Sequence, residues 1–250
     1  PCWSTWFNVR KIFCTRGWSY TSVIFFRIID RKGISMRVVW GGTFDPIHNG
    51  HIQLANQLVS LLSLDELHLM PCFKAVHKEN VAATPAQRLE MLNLATRPYS
   101  KLIVDEREII KCSKSYTYDS LSDIRKEIGS ESLSFVIGTD SLMTFPSWYR
   151  AGEIHTLANI IVIDRPTSSF SPLGGDNLRD INLSKLGFSV IDVQNDLINY
   201  RSGKILSLKL EEINISSTDI RCRIKNNEAI TPFVNSDVEH YIKMHHLYTK

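Results

Sequence analysis

GGTFDPIHNGH, residues 41–51, is the stretch that decides the fold of this chain. It follows a short apolar run, residues 36–40, and leads into residues 52–62, where apolar side chains recur at helical spacing. This pattern predicts a strand, a tight glycine-rich turn and then a helix. The first backbone N–H groups of a helix have no partner within it and, with the helix dipole, favour an anion. The stretch therefore predicts a phosphate-binding turn, and we interpret the ligand as a nucleotide.

Two histidines add side-chain donors at this turn. His48 and His51 lie three residues apart and so share one helical face. The glycines, which lack a Cβ, leave room for a phosphate to approach the backbone. A zinc site is the alternative, but the nearest further ligands, Cys72 and His77, lie in a separate loop without zinc-type spacing. We therefore expect phosphate binding and no protein-held metal. The carboxylate of Asp45, which lies in the turn, is expected to hydrogen-bond backbone groups.

Apolar segments alternate with helical patterns from residue 36 onward. Near-continuous apolar strands between helices predict a parallel sheet covered on both faces, and right-handed crossovers make it a Rossmann-like, doubly wound α/β domain. Thr84 is the expected N-cap of a helix that begins at Pro85, and Gly129 the expected end of another. Asp105-Glu106-Arg107 is expected to be an exposed charged stretch, and residues 165–180 an exposed loop. The predicted strands are 36–40, 66–70, 102–104, 133–137, 160–163, 189–193 and 205–208, and the predicted helices 85–95, 116–128, 152–157, 217–225 and 237–246, with two more starting near 52 and 140.

Composition limits the class of protein. A chain of 250 residues with 43% hydrophobic and 22% charged residues is typical of one ordinary globular α/β domain. It has no apolar run long enough to span a bilayer, so we expect no membrane association. Five dispersed cysteines without CxxC spacing favour reduced thiols and a cytoplasmic location.

The excess of positive charge lies in the first 35 residues. Residues 1–35 carry a net charge of +5, whereas residues 36–250 carry −2, a balance that argues against a nucleic-acid binder. The basic, hydroxyl-rich segment superficially resembles a transit peptide, but we favour a mis-set start upstream of Met36. We therefore expect residues 1–35 to be an irregular N-terminal extension, disordered or not native, and residues 36–250 to be a single domain.

A second anion signal lies near the C-terminus. Ser216, Ser217 and Thr218 stand at the predicted start of a helix, with Arg221 one turn along. Together they offer N–H, O–H and guanidinium donors to one anion. The alternative is an ordinary Ser/Thr N-cap beside a solvated arginine, and it is the presence of the first turn on the same chain that favours the phosphate interpretation.

These two elements resemble the paired signatures of the nucleotidyltransferase superfamily. His48, Gly50 and His51 match its HxGH element, and residues 215–221 match its ISSTxIR element. Within that superfamily the chain, from about Met36 to its C-terminus, looks like bacterial nicotinate-nucleotide adenylyltransferases. The likeness is carried by residues 105–108 (DERE), 115–117 (SYT), 138–142 (GTDSL) and 146–149 (PSWY).

The resemblance implies an activity and a set of site residues. The family makes nicotinate adenine dinucleotide and pyrophosphate from ATP and nicotinate mononucleotide, on the route to NAD, with Mg²⁺ carried by the ATP. It implies no nucleic acid or membrane partner and leaves a homo-oligomer open. The implied catalytic residues are His48, His51 and Arg221; the ATP-binding residues are Gly41, Gly42, Thr43, Phe44, Gly138, Asp140, Ser216, Ser217 and Thr218; and the acceptor-binding residues are Thr117, Trp148, His77, Lys78 and Arg88.

Ordinary interpretations of some of these residues stand beside the implied ones. Trp148 is a candidate packing residue, Asp140 a candidate helix cap, and His77 and Lys78 are expected to be solvated without ligand. The family often has Pro-Pro-His where this chain has Ala-Val-His at residues 75–77. Three other activities also remain: phosphopantetheine adenylyltransferase-like transfer to another phosphorylated acceptor, cytidylyl transfer from CTP, and a non-catalytic nucleotide sensor.

Overall fold

The computed structural model describes residues 36–74, 81–164, 183–192, 194–211 and 214–249. The expected N-terminal extension, the expected loop at 165–180, and His77 and Lys78 lie outside the described residues. None of the helices in the described ranges is long and apolar enough to cross a membrane.

Seven strands of the described chain form one sheet in the order β3-β2-β1-β4-β5-β7-β6, and every pair of neighbours is parallel. The apolar runs form strands because both faces of the sheet are covered, as the sequence predicts. The Rossmann-like, doubly wound class is confirmed. The strands are β1 (Met36–Gly42), β2 (Leu67–Pro71), β3 (Leu102–Val104), β4 (Ser132–Gly138), β5 (Asn159–Asp164), β6 (Ser189–Ile191) and β7 (Lys204–Lys209).

Helices connect the strands on both faces. Thr84 caps the second helix through a capping box with Gln87, and Gly129 follows the fourth helix at φ +60°, so both predicted boundaries are confirmed. The helices are α1 (Asn49–Leu61), α2 (Pro85–Thr96), α3 (Arg107–Lys111), α4 (Thr117–Ile128), α5 (Thr139–Thr144), α6 (Ala151–Leu157), α7 (Ser217–Lys225) and α8 (Ser236–Met244), with short 3-10 turns at Phe145–Ser147, Leu183–Leu186 and Gln194–Asn199.

Two apolar cores lie on opposite faces of the sheet, and β1 contributes to both. Val38 belongs to the core that packs under α1 and α2, whereas its neighbour Val39 belongs to the core under α4 and α6. Both side chains are fully buried. Successive side chains of a strand point to opposite faces, so this alternation fixes β1 as a central strand.

The chain reverses direction across β1. It runs outward from β1 to β2 and β3, and then returns to place β4 on the other side of β1. Ligands of doubly wound sheets bind at the carboxyl ends of the strands beside such a switch point. The segments that follow β1 and β4 therefore frame the expected crevice.

The expected exposure of residues 105–107 holds for Glu106 and is wrong for Asp105 and Arg107. Arg107 Nε lies 2.7 Å from a carboxylate oxygen of Asp105, and its Nη1 lies 2.8 Å from Glu127 on α4. The side chains of Arg107 and Asp105 are only 18% and 9% exposed. Pairing with opposite charge, partly from Glu127 20 residues away on α4, therefore allows Asp105 and Arg107 to lie partly buried.

Candidate active site

The turn after β1 is compact and bent at several residues. Phe44 has a positive φ of 49°, and the Asp45–Pro46 peptide bond is cis. His48 is the N-cap of α1, and its Nδ1 accepts a hydrogen bond from the N–H of His51 at 3.3 Å. The predicted strand, turn and helix are confirmed.

The two histidines are stacked on each other. Their ring centroids are 3.7 Å apart at an interplanar angle of 27°. Phe44 and Trp40 meet the His51 ring edge to face at 5.3 and 5.9 Å. The aromatic side chains therefore fix the direction in which the imidazoles point, and the predicted common face is confirmed.

Neighbouring rings give the turn glycines a further role. A Cβ on Gly41 would lie 2.6 Å from the ring of Phe135, and one on Gly42 would lie 2.7 Å from the ring of Phe44. Gly50 faces His48, whose Nδ1 would be 3.0 Å from an added Cβ. These contacts show that glycine is needed here for packing of the aromatic and imidazole rings.

The second anion element packs directly against this turn. Ser217 Oγ donates to the carbonyl of Pro46 at 3.0 Å, and Arg221 Nη1 donates to the carbonyl of Asp45 at 2.7 Å. Residues more than 170 positions apart are thereby joined at the mouth of one crevice. The two phosphate-binding elements that the sequence predicts therefore lie side by side in the structure.

The hydroxyls of the second element all have partners within the protein. Ser216 caps α7 by accepting from the N–H of Asp219, as in the ordinary N-cap interpretation. Thr218 Oγ1 accepts from Arg221 Nη2 at 3.1 Å. The cap and the arginine are therefore parts of one arrangement, in which Thr218 and Asp45 together orient the guanidinium.

The segment after β4 completes the crevice on the other side of β1. Gly138 ends β4 and is the N-cap residue of α5. A Cβ on Gly138 would lie 2.6 Å from Oδ1 of Asp140, which is itself exposed. The predicted nucleotide residues Gly138 and Asp140 therefore stand at the switch point.

The predicted acceptor residues Thr117 and Trp148 lie beside a group of tyrosines. Thr117 is the first residue of α4, and the half-buried Trp148 packs on Phe145 at 5.2 Å. The tyrosines link the two segments, because the Tyr116 ring is 4.7 Å from that of Tyr149. Two motifs of the sequence each contain one of these tyrosines, but nothing in their spacing predicts that the rings touch.

Arg88 is fully buried, with 0% of its surface exposed. Its Nη1 donates to the carbonyl of Thr43 at 2.8 Å and its Nη2 to that of Phe73 at 3.0 Å. The neighbouring Cys72 thiol is 3.9 Å away, and burial raises its pKa. Acceptor binding by Arg88 stays a prediction, but in this structure its guanidinium connects the ends of β1 and β2.

A buried carboxylate, whose structural role the sequence does not predict, supports the acceptor segment. Glu108 is 6% exposed, its pKa is raised by burial, and the hydroxyls of Ser115 and Ser120 hydrogen-bond it, Ser120 at 2.5 Å. Ser115 Oγ also accepts the N–H of Phe73 at 2.9 Å. Phe73 therefore connects Arg88 on one side with the residues that lead to Thr117 on the other.

The carboxylate of Asp45 hydrogen-bonds the backbone, as predicted. It accepts the N–H groups of Ala82 and Ala83 at 2.9 and 3.1 Å and the hydroxyl of Tyr248 at 2.7 Å. Within the described ranges, no group of three or more His, Cys, Asp or Glu side chains is arranged to hold a metal ion. The site therefore presents imidazole, guanidinium and helix-start donors, a set suited to a polyanion.

The relatives that share sequence similarity with this chain carry consistent names. A family model described as cytidylyltransferase-like matches residues 39–223. A protein of Marinomonas sp. (strain MWYL1) named "Probable nicotinate-nucleotide adenylyltransferase" is 35% identical over 229 residues, which cover 88% of this chain and 99% of the relative. A protein of the same name from Cellvibrio japonicus is 36% identical, over 84% of this chain and 97% of the relative.

Solved structures share the fold. The nicotinic acid mononucleotide adenylyltransferase of Plasmodium falciparum, complexed with NaAD, superposes with a TM-score of 0.66 at 18% identity, over 86% of this chain and 97% of that one. A structure from Vibrio parahaemolyticus named "Putative Nicotinate-nucleotide Adenylyltransferase" gives a TM-score of 0.55 at 17% identity, over 86% of this chain and 96% of that one. At these identities the likeness supports the architecture alone.

Proposed function

This chain belongs to the cytidylyltransferase-like family and, within it, to the nicotinate-nucleotide adenylyltransferases, and on that premise we propose how its site carries out adenylyl transfer. ATP and nicotinate mononucleotide are the substrates, and nicotinate adenine dinucleotide and pyrophosphate are the products. The observation that carries the proposal is the contact of Arg221 and Ser217 with the turn that bears the two histidines.

The reaction needs no protein nucleophile. A phosphate oxygen of the mononucleotide, already ionised at neutral pH, forms a bond to the α-phosphorus of ATP. The bond from that phosphorus to the bridging α–β oxygen breaks, and the leaving electron pair goes to pyrophosphate. The obstacle is the approach of one anion to another, so catalysis is mainly positioning and stabilisation of developing charge.

We assign the stabilisation of charge to the turn after β1 and to the start of α7. His48 and His51, stacked at the mouth of α1, would contact the α- and β-phosphate oxygens. Arg221, held by the Asp45 carbonyl and Thr218, would neutralise the leaving pyrophosphate. Gly41, Gly42, Thr43, Phe44, Ser216 and Ser217 shape the phosphate crevice, and Gly138 and Asp140 would contact the nucleoside.

The acceptor would lie along α4 and the 3-10 turn after α5. We propose that Trp148 stacks on the nicotinate ring and that Thr117, at the first turn of α4, contacts its carboxylate. His77 and Lys78 would add positive charge to the acceptor phosphate. Arg88 serves the acceptor indirectly, because its buried guanidinium holds the carbonyl of Phe73, whose N–H donates to Ser115.

Mg²⁺ would enter with ATP. The Asp45 carboxylate already accepts three hydrogen bonds, so it fits the role of a turn acceptor and not that of a metal ligand. This agrees with the usual binding of Mg²⁺ through substrate phosphates and water. When bound, the ion lowers the negative charge that the mononucleotide phosphate must approach.

A pyrophosphate-release assay tests the activity. We expect release with ATP and nicotinate mononucleotide, and much less with nicotinamide mononucleotide, phosphopantetheine or CTP in place of the matching substrate. Release only with phosphopantetheine or only with CTP would assign the chain to another transferase. Nucleotide binding without release under any combination would make it a sensor.

We further propose that residues 36–250 are the catalytic domain and that residues 1–35 are dispensable. The same assay on the full chain and on a form that starts at Met36 tests this. Equal kcat and KM for both forms are expected. A loss of turnover in the shorter form would assign a role to residues 1–35.

A further inference from the structure

The Asp45 carboxylate joins three segments that are distant in sequence. Oδ2 accepts the N–H of Ala82 at 2.9 Å, and Oδ1 accepts the N–H of Ala83 at 3.1 Å and the Tyr248 hydroxyl at 2.7 Å. Asp45 is 4% exposed. A carboxylate buried to this degree requires hydrogen-bond donors, and here two come from the adjacent Ala82 and Ala83 and the third from the C-terminal segment of the chain.

Tyr248 is buried deeply enough to act as a fixed donor. It is 7% exposed, and its pKa is raised, first by burial and then by the charge of Asp45. The phenol therefore stays protonated at neutral pH and donates its proton to the carboxylate. Its ring packs in the same core as Phe44 and Ile47 of the turn.

The contacts of Asp45 form part of a closed ring of interactions. Ala82 and Ala83 precede Thr84, the N-cap of α2, and α2 carries Arg88, which returns to the turn by donating to the Thr43 carbonyl at 2.8 Å. Arg221 holds the Asp45 carbonyl at 2.7 Å from the other side. The backbone of residues 43–46 is thus fixed by two guanidinium groups, and the Asp45 side chain closes the ring.

We propose that Asp45 and Tyr248 are positioning residues that hold the phosphate turn and the start of α2 in one fixed relation. This rests on the proposed function, because it deepens the account of the same site. Neither residue contacts substrate in the proposal. Their effect passes through the carbonyls and imidazoles of the turn, where a displacement of about 1 Å costs up to a hundredfold in rate.

The first test replaces one hydroxyl. Tyr248→Phe keeps the ring and removes the donor to Asp45, whereas Tyr241→Phe makes the same change on α8 without reaching Asp45. We expect kcat to fall about tenfold in Tyr248→Phe with KM for ATP changed less than threefold, because the turn still forms but is no longer held in place. Tyr241→Phe is expected to retain the wild-type kcat. An unchanged kcat in Tyr248→Phe would overturn the proposal, even if its melting temperature fell.

The second test probes the same contacts by a measurement that does not depend on enzymatic activity. Amide hydrogen exchange of the full chain reports the N–H groups of Ala82 and Ala83. Asp45→Asn replaces one acceptor oxygen by a donor, so we expect exchange at these two amides to quicken about tenfold or more, while amides of β5 keep their protection. Unchanged exchange would overturn the proposal. Absence of pyrophosphate release in the wild type would instead refute the proposed function and leave the exchange result standing.

Discussion

A buried arginine lies at each end of the sheet, and the two arginines donate hydrogen bonds to the carbonyls of different segments. At the amino ends of the strands, Arg125 donates to the carbonyls of Gly129, Glu131, Leu157 and Arg201 at 2.6–3.0 Å. At the carboxyl ends, Arg88 donates to the carbonyls of Thr43 and Phe73.

Because of this difference, we expect Arg125 to contribute to stability alone and Arg88 to contribute to catalysis as well. The carbonyls around Arg125 lie in connections that lead into β4, β5 and β7, far from the switch point. Those around Arg88 lie in the turns that frame the proposed site. Hydrogen bonds from arginine to backbone carbonyls therefore stabilise the strand connections at one end of the sheet and the turns of the proposed site at the other. Variants at each end of the sheet test that separation.

The largest effect is expected at His51. His51→Ala removes a donor to the phosphate oxygens, so kcat should fall about 10²–10³-fold while the melting temperature changes little. Steady-state pyrophosphate release and a thermal melt measure both quantities. The exposed His240 provides the control, and His240→Ala is expected to match wild type. Near wild-type turnover in His51→Ala would remove the catalytic role from the turn.

Arg125→Met should show the opposite pattern. Several buried carbonyls lose their donor, and we expect the free energy of unfolding to fall by about 3 kcal/mol. Urea denaturation measures this loss, and kcat per folded molecule should remain that of wild type. Lys126→Met, at the exposed neighbouring position, is the control. A loss of kcat in Arg125→Met would show that the two ends of the sheet are coupled.

Arg88→Lys should affect both properties. A single ammonium cannot reproduce the planar fork that reaches two carbonyls at once. We expect kcat/KM to fall about tenfold and the free energy of unfolding by about 2 kcal/mol. Arg97→Lys, on the exposed end of the same helix, should change neither. If Arg88→Lys lowered stability alone, Arg88 would belong to the same class as Arg125.

The sequence predicts much of this architecture because its signals are local. Near-continuous apolar runs give the strands, and Thr84 and Ser216 mark helix starts through hydrogen bonds within three residues. The phosphate turn is recognisable for the same reason, since its glycines and histidines lie within eleven residues.

What the sequence does not predict depends on distant partners. Tyr248 reaches Asp45 across 203 residues, and no pattern near either residue indicates the contact. Arg107 is half-buried because Glu127 comes from another helix, and α3 is only five residues long, too short for a helical period. Packing in three dimensions decides these features, so local propensity cannot predict them.

The smallest predicted effect concerns the buried Glu108 near Arg88. Burial raises its pKa above the unfolded value, so the stability that it contributes is present below the unfolded pKa and is lost as pH rises through the folded pKa. Glu108→Gln removes this titration. Relative to wild type, the variant should therefore gain stability as pH rises above the unfolded pKa of a glutamate, about 4.3.

Urea denaturation at several pH values measures that difference, and Glu90→Gln at an exposed position of α2 provides the control. The expected sign is specific, because a carboxylate stabilised by its charge would give the opposite slope. A flat difference between Glu108→Gln and wild type would mean that the hydroxyls of Ser115 and Ser120 fully compensate burial.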